Sequence, residues 1–462
     1  MADVLQAGYS QWQPATSSPA MAPIPDPVTS DSTLPTDADV VVIGGGIIGA
    51  CTAYFLAERG IKTVLCEKHE IAAEQSSRNW GWCRQSGRDP REIPLIVESL
   101  KLWRGMNQRV GGETGFRQSG IIYLAETDAQ LAKREAFMQH ARDYQLDTRL
   151  ISGGEVERLL PGATKVWKGA LYTPSDGRAE PQKSASAILT AAKRLGAGVH
   201  THCAVRGIET SAGRVSGVVT EKGNIGCNSV VLAGGAWSRL FCGNLDIHLP
   251  QLGVVNSVLR TAPLDAGPEG NVADAKFAFR KRIDGGYTVA RAHLSVADIV
   301  PDSFRLLGEF LPVLLQDLGG LRLRLGRKFI EEACLPRRWQ LDQRTPFEMI
   351  RVADPKPVPG ILNEAVTWLQ RTFPRFRDMQ VAERWAGLID VTPDAVPVMA
   401  EVEKLPGFFL ATGFSGHGFG LGPGAGRLMA DLVTGARPIV DPAPFRYTRF
   451  IDGTKLQVMA GL

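Results

Sequence analysis

The sequence lacks the features that mark exported and membrane-spanning proteins. No lysine or arginine precedes Arg59, so neither the basic start of a secretory signal nor the paired arginines of a twin-arginine signal is present. No run of about eighteen apolar residues occurs, which predicts that no helix spans a membrane. We therefore expect a cytoplasmic protein.

The sequence also lacks a large excess of charge of one sign and the cysteine spacing of metal sites or disulfide frameworks. The 52 basic and 48 acidic residues leave a net charge of +4, which argues against a surface dedicated to nucleic acid. The 7 cysteines include no C-x-x-C pair, and their number is odd. This pattern predicts free thiols in a reducing compartment, with neither a disulfide framework nor a metal site.

What remains is a long chain of ordinary globular composition. Its 462 residues exceed one typical core, so two or three domains are expected. Residues 1–37 are rich in Pro, Ser, Ala and Thr, which predicts a flexible arm; packing of this arm across the body is the alternative. Further on, the pattern predicts helices at 184–196 and 360–374 and a hairpin at 276–292.

A dinucleotide-binding motif follows the arm. Gly44, Gly46 and Gly49 form G-x-G-x-x-G between an apolar strand, DVVVIG, and an apolar helix that ends near Gly60. These glycines permit the tight turn, the approach of a pyrophosphate to the backbone and close packing of helix on strand. Glu67 ends a second strand, IKTVLCEK, where its carboxylate can accept hydrogen bonds from ribose hydroxyls. The pattern predicts a βαβ unit that binds NAD or FAD.

A second glycine-rich stretch, ATGFSGHGFGLGPGAG, occupies residues 411–426 and runs into a helical pattern. On its own, such a stretch is typical of a surface loop. Glycine also lets backbone N–H groups approach a flat ligand, and a helix N-terminus favours negative charge. A second nucleotide site would need another strand, G-x-G-x-x-G and helix, and VVLAGGAW at 230–237 does not supply one.

Several further segments occur in a characteristic order. They are AEQSSR (73–78), GGAWSRLF (234–241), FAFRKRIDGGY (277–287), WQLDQRTPFE (339–348) and RPIVDPAPFRYTRF (437–450). With the two glycine-rich stretches, this order resembles the D-amino-acid oxidase superfamily of FAD enzymes over about residues 38–450. Within the superfamily the chain is most similar to the Proteus-type L-amino acid deaminases. Its second glycine-rich stretch is closer to that of sarcosine and glycine oxidases.

The resemblance implies an α/β fold, α+β overall. A Rossmann-like FAD-binding domain of the glutathione-reductase type would carry a mixed-sheet substrate-binding domain. The FAD-binding domain would comprise residues 38–116, 160–247 and 384–440. The substrate-binding domain would comprise residues 117–159 and 248–383, including a helical insertion at about 301–375, and residues 441–462 would form a tail.

The resemblance also implies that the two glycine-rich stretches serve the two ends of one FAD. Some sarcosine oxidases carry a flavin-linked cysteine at the position of Gly387, so FAD is expected to be non-covalent. The cofactor-binding residues implied are Gly44, Gly46, Ile47, Ile48, Gly49, Glu67, Lys68, Ser76, Ser77, Asn79, Trp80, Gly81, Trp82, Val205, Ala233, Gly234, Trp237, Gly416, His417, Gly418, Phe419 and Gly420.

Candidate substrate-site residues follow from the same resemblance. Arg280 matches an arginine expected to bind a carboxylate, although Lys281 and Arg282 beside it are equally typical of a solvated strand face. Trp385 matches a tryptophan near the substrate cavity, with core packing as the rival interpretation. The remaining candidates are Arg84, Gln85 and His417.

The implied activity is oxidation of the C–N bond of an amino acid to an imine, which water hydrolyses to a keto acid. Oxidation of a secondary amine, such as an N-methyl or cyclic amino acid, is the alternative, and a non-catalytic flavoprotein subunit is a third. Oxygen or a quinone would accept the electrons. The basic stretch LRLRLGRKF (321–329) is compatible with a peripheral membrane contact, but an edge strand with a solvated basic face is favoured.

Overall fold

In a computed structural model that describes residues 22–316 and 319–457, the chain forms two large sheets and two small ones. The strands, in chain order, are β1 (Val40–Ile43), β2 (Thr63–Cys66), β3 (Trp82–Cys83), β4 (Arg117–Gln118), β5 (Ile121–Ala125), β6 (Arg149–Ser152), β7 (Gly169–Thr173), β8 (Gly177–Arg178), β9 (Gly198–His200), β10 (Val205–Ser211), β11 (Arg214–Thr220), β12 (Gly223–Gly226), β13 (Ser229–Leu232), β14 (Leu252–Thr261), β15 (Asn271–Ala273), β16 (Ala278–Lys281), β17 (Tyr287–Ala290), β18 (Ser295–Asp298), β19 (Leu321–Arg324), β20 (Val381–Val391), β21 (Val398–Glu401) and β22 (Phe408–Thr412).

Helices cover one face of the first large sheet, whose other face packs mainly on the small sheet β10–β12. Helices lie against both faces of the second large sheet. The helices, in chain order, are α1 (Ile47–Ala57), α2 (Gln75–Arg78), α3 (Ile93–Val110), α4 (Asp128–Asp143), α5 (Gly153–Leu159), α6 (Pro181–Arg194), α7 (Ser238–Asn244), α8 (Pro301–Arg305), α9 (Leu307–Gln316), α10 (Arg327–Ala333), α11 (Pro346–Met349), α12 (Pro359–Thr372) and α13 (Gly418–Val433). The helices predicted at 184–196 and 360–374 correspond to α6 and α12, shifted by a few residues.

The first large sheet has the strand order β21-β22-β13-β1-β2-β9, and all its pairs are parallel except β21–β22. Its central strand β1, VVVI, is buried along its whole length, as expected for a strand covered on both faces. Strand β1 runs directly into α1 and then pairs with β2, which confirms the predicted βαβ unit. The sheet combines strands from the beginning, middle and end of the chain.

Helices α1 and α13 pack closely because α13 carries no side chain at the contact point, Gly426. A Cβ atom at Gly426 would lie 2.4 Å from Cys51 Cβ and 2.5 Å from the Cys51 carbonyl carbon. A Cβ atom at Gly49 would lie 1.9 Å from the Gly44 carbonyl oxygen, so only glycine permits the close approach of α1 to its preceding strand. The two glycine-rich stretches therefore meet at one helix pair.

The second large sheet is mixed and follows the order β19-β18-β14-β17-β16-β15-β5-β7-β6, with β20 paired to β14. Strands β16 and β17 pair antiparallel around the Asp284–Gly286 turn, which confirms the predicted hairpin. Strand β19 lies at the edge, and Arg322 and Arg324 on it are exposed, as the edge-strand interpretation of LRLRLGRKF predicts.

Residues 22–37 lie against the body, which contradicts the predicted flexible arm for this part; residues 1–21 lie outside the described residues. Val28 is buried, and the Asp31 backbone N–H donates to the Val199 carbonyl oxygen at 2.7 Å. The Asp31 carboxylate pairs with Lys193 at 2.7 Å and accepts from the Val199 N–H at 2.7 Å. Composition suggested disorder, but the segment completes the edge of β9.

Candidate active site

A cavity of about 820 Å³ opens where the parallel strands of the first sheet end and the second sheet begins. The ends of β1, β2, β13 and β22 all contribute to its wall. Ligands of open α/β sheets bind at the carboxyl ends of such strands, and a volume of this size accommodates a large cofactor with room for a small molecule.

The β1–α1 loop and Glu67 form one end of the cavity. The two Glu67 carboxylate oxygens accept from the Gly45 N–H at 2.6 Å and the His69 N–H at 2.9 Å, which fixes the side chain at the end of β2. Burial raises the pKa of the Glu67 carboxyl, while Lys68 and the two backbone donors oppose this rise. The predicted ribose-binding position is therefore part of the wall.

Gly44 and Ser76 shape the adjoining part of the wall. Gly44 has φ of +110°, and a Cβ atom there would lie 2.4 Å from the Ala233 carbonyl oxygen, so both conformation and space require glycine. Ser76 Oγ, on the short helix α2, accepts from the Ile47 N–H at 2.8 Å in the first turn of α1. The loop and α2 thus form a preorganised backbone cradle that fits a pyrophosphate.

Lys68, Glu74 and Trp237 line the next part of the cavity and hold one another. Lys68 Nζ lies 2.8 Å from Glu74 Oε1 and 4.3 Å from the Trp237 ring centroid. Trp237 Nε1 donates to the Glu74 carboxylate at 2.9 Å. Together with the glycine cradle and Glu67, this fixed wall suits an extended dinucleotide such as the FAD that the resemblance implies.

The second glycine-rich stretch is mostly helix rather than loop. α13 begins at Gly418, and Gly418 and Phe419 line the cavity, so the first turn of the helix presents its N-terminus there. The glycines that follow serve packing: a Cβ atom at Gly422 would lie 2.7 Å from Ile47, and one at Gly424 would lie 2.9 Å from the Leu95 carbonyl oxygen. The interpretation as a surface loop is wrong.

Another part of the cavity, called the chamber, has aromatic and cationic walls. Trp80 and Trp82 meet edge to face at 5.2 Å, and Tyr123 continues the wall 6.0 Å from Trp82. Arg84 and Arg88 line the same chamber. Its other side is mostly apolar and comes from β18, β19 and the helices α8 and α9 of the 301–375 insertion.

Glu92 is a carboxylate paired with an arginine of the chamber, since its Oε2 lies 3.5 Å from Arg88 Nη1. His417 Nδ1 lies 3.0 Å from Glu92 Oε2, and Glu92 is fully buried. Burial by itself would raise the pKa of the Glu92 carboxyl, but His417 and the Arg88 guanidinium lower it below its usual range. Burial, with Arg134 and Arg84 nearby, lowers the pKa of His293 to about 4, so this imidazole is neutral at pH 7.

Most predicted cofactor residues lie in the cavity wall. They are Gly44, Gly46, Ile47, Ile48, Glu67, Lys68, Ser76, Asn79, Trp80, Trp82, Val205, Ala233, Gly234, Trp237, Gly416, His417, Gly418 and Phe419. The remaining four do not line it: Gly49 and Gly81 allow close backbone packing, and Ser77 Oγ donates to the carbonyl oxygen of Glu74, the residue before α2. The Gly420 carbonyl oxygen accepts from Trp103 Nε1 at 2.9 Å behind the cavity.

Arg280 does not face the cavity, which corrects the prediction that it binds the substrate carboxylate. Its Nη1 and Nη2 atoms donate to the Glu180 carboxylate at 2.7 and 3.0 Å, and its Nε donates to the Trp80 carbonyl oxygen. The side chain is 1% exposed. Because both Nη atoms of Arg280 already donate to a buried carboxylate, they cannot form a two-point contact with a substrate carboxylate.

Trp385 and Gln85 also lie outside the cavity wall. Trp385 is fully buried and donates from Nε1 to the Arg78 carbonyl oxygen at 2.9 Å, so the core-packing interpretation is correct. Gln85 Nε2 donates to Ser175 Oγ on the far side of its loop. Arg84 and His417 are the two substrate-site candidates that the structure brings into the chamber.

Sequence reasoning missed Arg88, Tyr123 and His293 in the chamber. Arg88 follows the predicted candidate Arg84 by only four residues. The backbone turns near Gly87, so the Arg88 side chain lines the same wall as Arg84. Tyr123 and His293 belong to β5 and to the β17–β18 connection of the second sheet, and no motif marks them. Only the packing of the two sheets shows that they share a site.

No group of three or more His, Cys, Asp or Glu side chains able to hold a metal ion occurs among residues 22–316 and 319–457. Over the same residues, no helix is both long and apolar enough to cross a bilayer.

Comparison with known proteins gives relatives along nearly the whole chain. It is 26% identical over 426 residues to the mitochondrial sarcosine dehydrogenase of Mus musculus, covering 90% of this chain and 42% of that protein. The chain thus spans less than half the length of this curated relative. It is 25% identical to the glycine oxidase of Pseudomonas aeruginosa, covering 88% of this chain and 97% of that enzyme.

Among solved structures, L-amino acid deaminase from Proteus myxofaciens in complex with anthranilate superposes with a TM-score of 0.89 at 37% identity. The match covers 92% of this chain and 96% of that one. The model of the DAO family, described as FAD dependent oxidoreductase, matches residues 39–432. This family uses FAD, and the cradle, Glu67 and the N-terminus of α13 fit that cofactor. The chain belongs to the DAO family of FAD-dependent oxidoreductases.

Proposed function

We propose that the protein oxidises the C–N bond of an amino acid to an imine, which water then hydrolyses to a keto acid and ammonia. One observation carries this proposal: a single cavity joins the dinucleotide cradle to a chamber with two arginines and three aromatic side chains. Bound FAD supplies a two-electron acceptor for the hydride that leaves Cα. The chain itself has to bind, orient and desolvate the substrate.

The chamber walls suit those tasks. Trp80, Trp82 and Tyr123 exclude water and restrict the orientation of a small substrate. Arg84 and Arg88 attract an anionic group and also lower the pKa of a nearby substrate ammonium, which favours the neutral amine that oxidation requires. Neutral His293 adds no further charge to this wall.

Oxidation of a secondary amine is a second candidate, because sarcosine dehydrogenase is among the relatives. The same chamber would hold an N-alkyl amino acid by its carboxylate. The products differ: a primary amine gives ammonia and a keto acid, whereas an N-methyl group oxidised at its carbon gives formaldehyde.

The test is anaerobic mixing of the FAD-loaded protein with L-, D-, N-methyl and cyclic amino acids while flavin absorbance is followed. We expect at least one amino acid to bleach the flavin, with a keto acid as product. Bleaching by N-methyl compounds alone, with formaldehyde released, would favour the second candidate. If dithionite reduces the flavin but no amine does, the protein is a non-catalytic flavoprotein and the proposal is wrong. Reoxidation by oxygen or by a soluble quinone then identifies the acceptor.

A further inference from the structure

The guanidinium of Arg88 is buried but poorly satisfied. The residue is 4% exposed. Its Nε donates to the Arg84 carbonyl oxygen at 3.0 Å, and its Nη2 approaches the His417 carbonyl oxygen at only 3.5 Å. Among the described residues Nη1 has no hydrogen-bond acceptor, and Glu92 Oε2 lies 3.5 Å away. A guanidinium has five N–H donors, so most of those on Arg88 await an acceptor.

The first turn of α13 adds positive potential beside Arg88. The guanidinium lies beside the first turn of α13, because a Cβ atom at Gly420 would be 3.4 Å from Arg88 Nη2. The N-terminus of a helix carries a partial positive charge and free N–H groups.

Arg84 shares the same wall. Its Nη1 donates to the Ser86 carbonyl oxygen, and its guanidinium lies 5.8 Å from the Tyr123 ring centroid. Both arginines line the chamber, whereas Glu92 lies behind them and divides its carboxylate between Arg88 and His417. Asp176 is a second buried carboxylate near the two guanidiniums. Its hydrogen bonds go to the Gln85 N–H and to Ser86, so neither carboxylate accepts a hydrogen bond from Arg88. A buried charge without a partner is costly, so the site is built to receive an anion from the chamber.

The loop that carries the two arginines is held rigidly. Asp176 accepts from the Gln85 N–H at 2.7 Å and from Ser86 Oγ at 2.6 Å. A fixed loop lets two guanidiniums approach one carboxylate without a large loss of side-chain entropy on binding.

We propose that Arg88, with Arg84 beside it, binds the carboxylate of the substrate at the N-terminus of α13. This assignment rests on the proposed function, and it replaces Arg280 as the anion-binding residue. Arg88 supplies the bidentate contact, and Arg84 and the first turn of α13 supply further positive potential.

The experiment measures binding of benzoate to the FAD-loaded protein through the change in the flavin spectrum. Benzoate offers a carboxylate and a flat ring but no oxidisable C–N bond, so its binding is independent of whether any amino acid is a substrate. We expect Arg88→Met to raise the Kd for benzoate by about 30-fold or more, because a charge-assisted two-point contact is lost. Arg88→Lys keeps the positive charge but cannot form the two parallel hydrogen bonds of a guanidinium, so it should raise the Kd about tenfold.

Two controls distinguish a direct contact between Arg88 and the carboxylate from a change in electrostatic potential or in folding. Arg134→Met removes a neighbouring buried guanidinium, 5.4 Å from the Tyr123 ring, that does not line the cavity, and should leave the Kd within about threefold. Benzamide, the uncharged analogue, should bind wild type and Arg88→Met equally. Equal loss of benzoate and benzamide binding would indicate general disruption and overturn the proposal.

Flavin content reports folding. If Arg88→Met retains no FAD, the benzoate Kd of Arg88→Lys tests the assignment instead. A wild-type Kd in Arg88→Lys would contradict it. Unchanged benzoate binding with a lower flavin midpoint potential would mean that Arg88 stabilises charge on the reduced cofactor instead, which also overturns the proposal. Failure of every amino acid to bleach the flavin, with benzoate binding still dependent on Arg88, would refute the proposed function but leave an anion site at Arg88.

Discussion

Arg280 and Glu180 form a two-point ion pair inside the protein, with nitrogen–oxygen distances of 2.7 and 3.0 Å. Both side chains are almost completely buried. Because Arg280 Nε also donates to the Trp80 carbonyl oxygen, the pair ties β16 and the start of α6 to the segment that carries Trp80 and Trp82 into the chamber.

Substitution of Arg280 should therefore reduce stability rather than ligand affinity. Arg280→Met leaves Glu180 buried beside Arg282 at 3.8 Å, and loss of one member of such a pair costs about 3 kcal/mol. We expect a clearly lower Tm, with the benzoate Kd of the folded fraction near that of wild type. The double variant Arg280→Met/Glu180→Gln should recover part of the Tm. A normal Tm with weakened benzoate binding would restore Arg280 as the substrate clamp.

FAD should be held without a covalent bond. Gly387 lines the cavity, and its position offers no thiol to the cofactor. Denaturation with acid should release the yellow colour into the supernatant, and the precipitated chain should be colourless. Flavin that remains with the precipitate would show that another residue forms the link.

The contact between α1 and α13 should tolerate no side chain. Gly426→Ala places a methyl group 2.4 Å from Cys51 Cβ, and overpacking of this kind costs about 1–3 kcal/mol. We expect a lower Tm and weaker FAD retention, because α1 carries the cofactor cradle. Gly105→Ala, in the exposed part of α3 with no atom within 4 Å, is the matched control and should leave Tm unchanged or slightly raised. Equal effects of the two substitutions would contradict this account.

Asp176 should make stability depend on pH. Burial raises its pKa to about 6, so between about pH 4 and pH 6 the folded chain binds a proton that the unfolded chain releases. Stability from this group is then present at low pH and declines as the pH rises through 6. Asparagine does not titrate, so the Tm of Asp176→Asn relative to wild type should be higher at about pH 7 than at about pH 4.5. A difference that stays constant with pH would exclude titration of Asp176 in this range.

Removal of residues 22–37 should destabilise the protein. A variant that starts at residue 38 loses the buried Val28 and the Asp31–Lys193 ion pair, and it exposes the backbone of β9. We expect its Tm to fall below that of a variant that starts at residue 22, by an amount equivalent to about 1–3 kcal/mol. Equal Tm values for the two truncations would show that the segment contributes little.

The local parts of the cofactor site were predictable because short-range geometry dictates them. An apolar strand, G-x-G-x-x-G and an apolar helix can bury their side chains only as a βαβ unit, and Glu67 then has to end the second strand. The Asp284–Gly286 hairpin and the N-terminus of α13 at the cavity follow from similarly local signals.

The substrate chamber was not predictable in this way. Arg280, Lys281 and Arg282 look alike in sequence, and only the position of Glu180, a hundred residues earlier in the chain, determines that Arg280 is buried and occupied. Likewise, composition favoured disorder for residues 22–37, although contacts with β9 and α6 hold that segment in place.

By itself, then, the sequence determined the βαβ unit, the dinucleotide class of the cofactor and, through its resemblance, the enzyme family. Only the tertiary structure decided which charged side chains face the chamber and which are neutralised inside the core. The physical reason is that the free energy of a guanidinium depends on the carboxylates, helix termini and solvent around it. For Arg88 and Arg280 those surroundings come from distant segments, which meet only when the two sheets pack together.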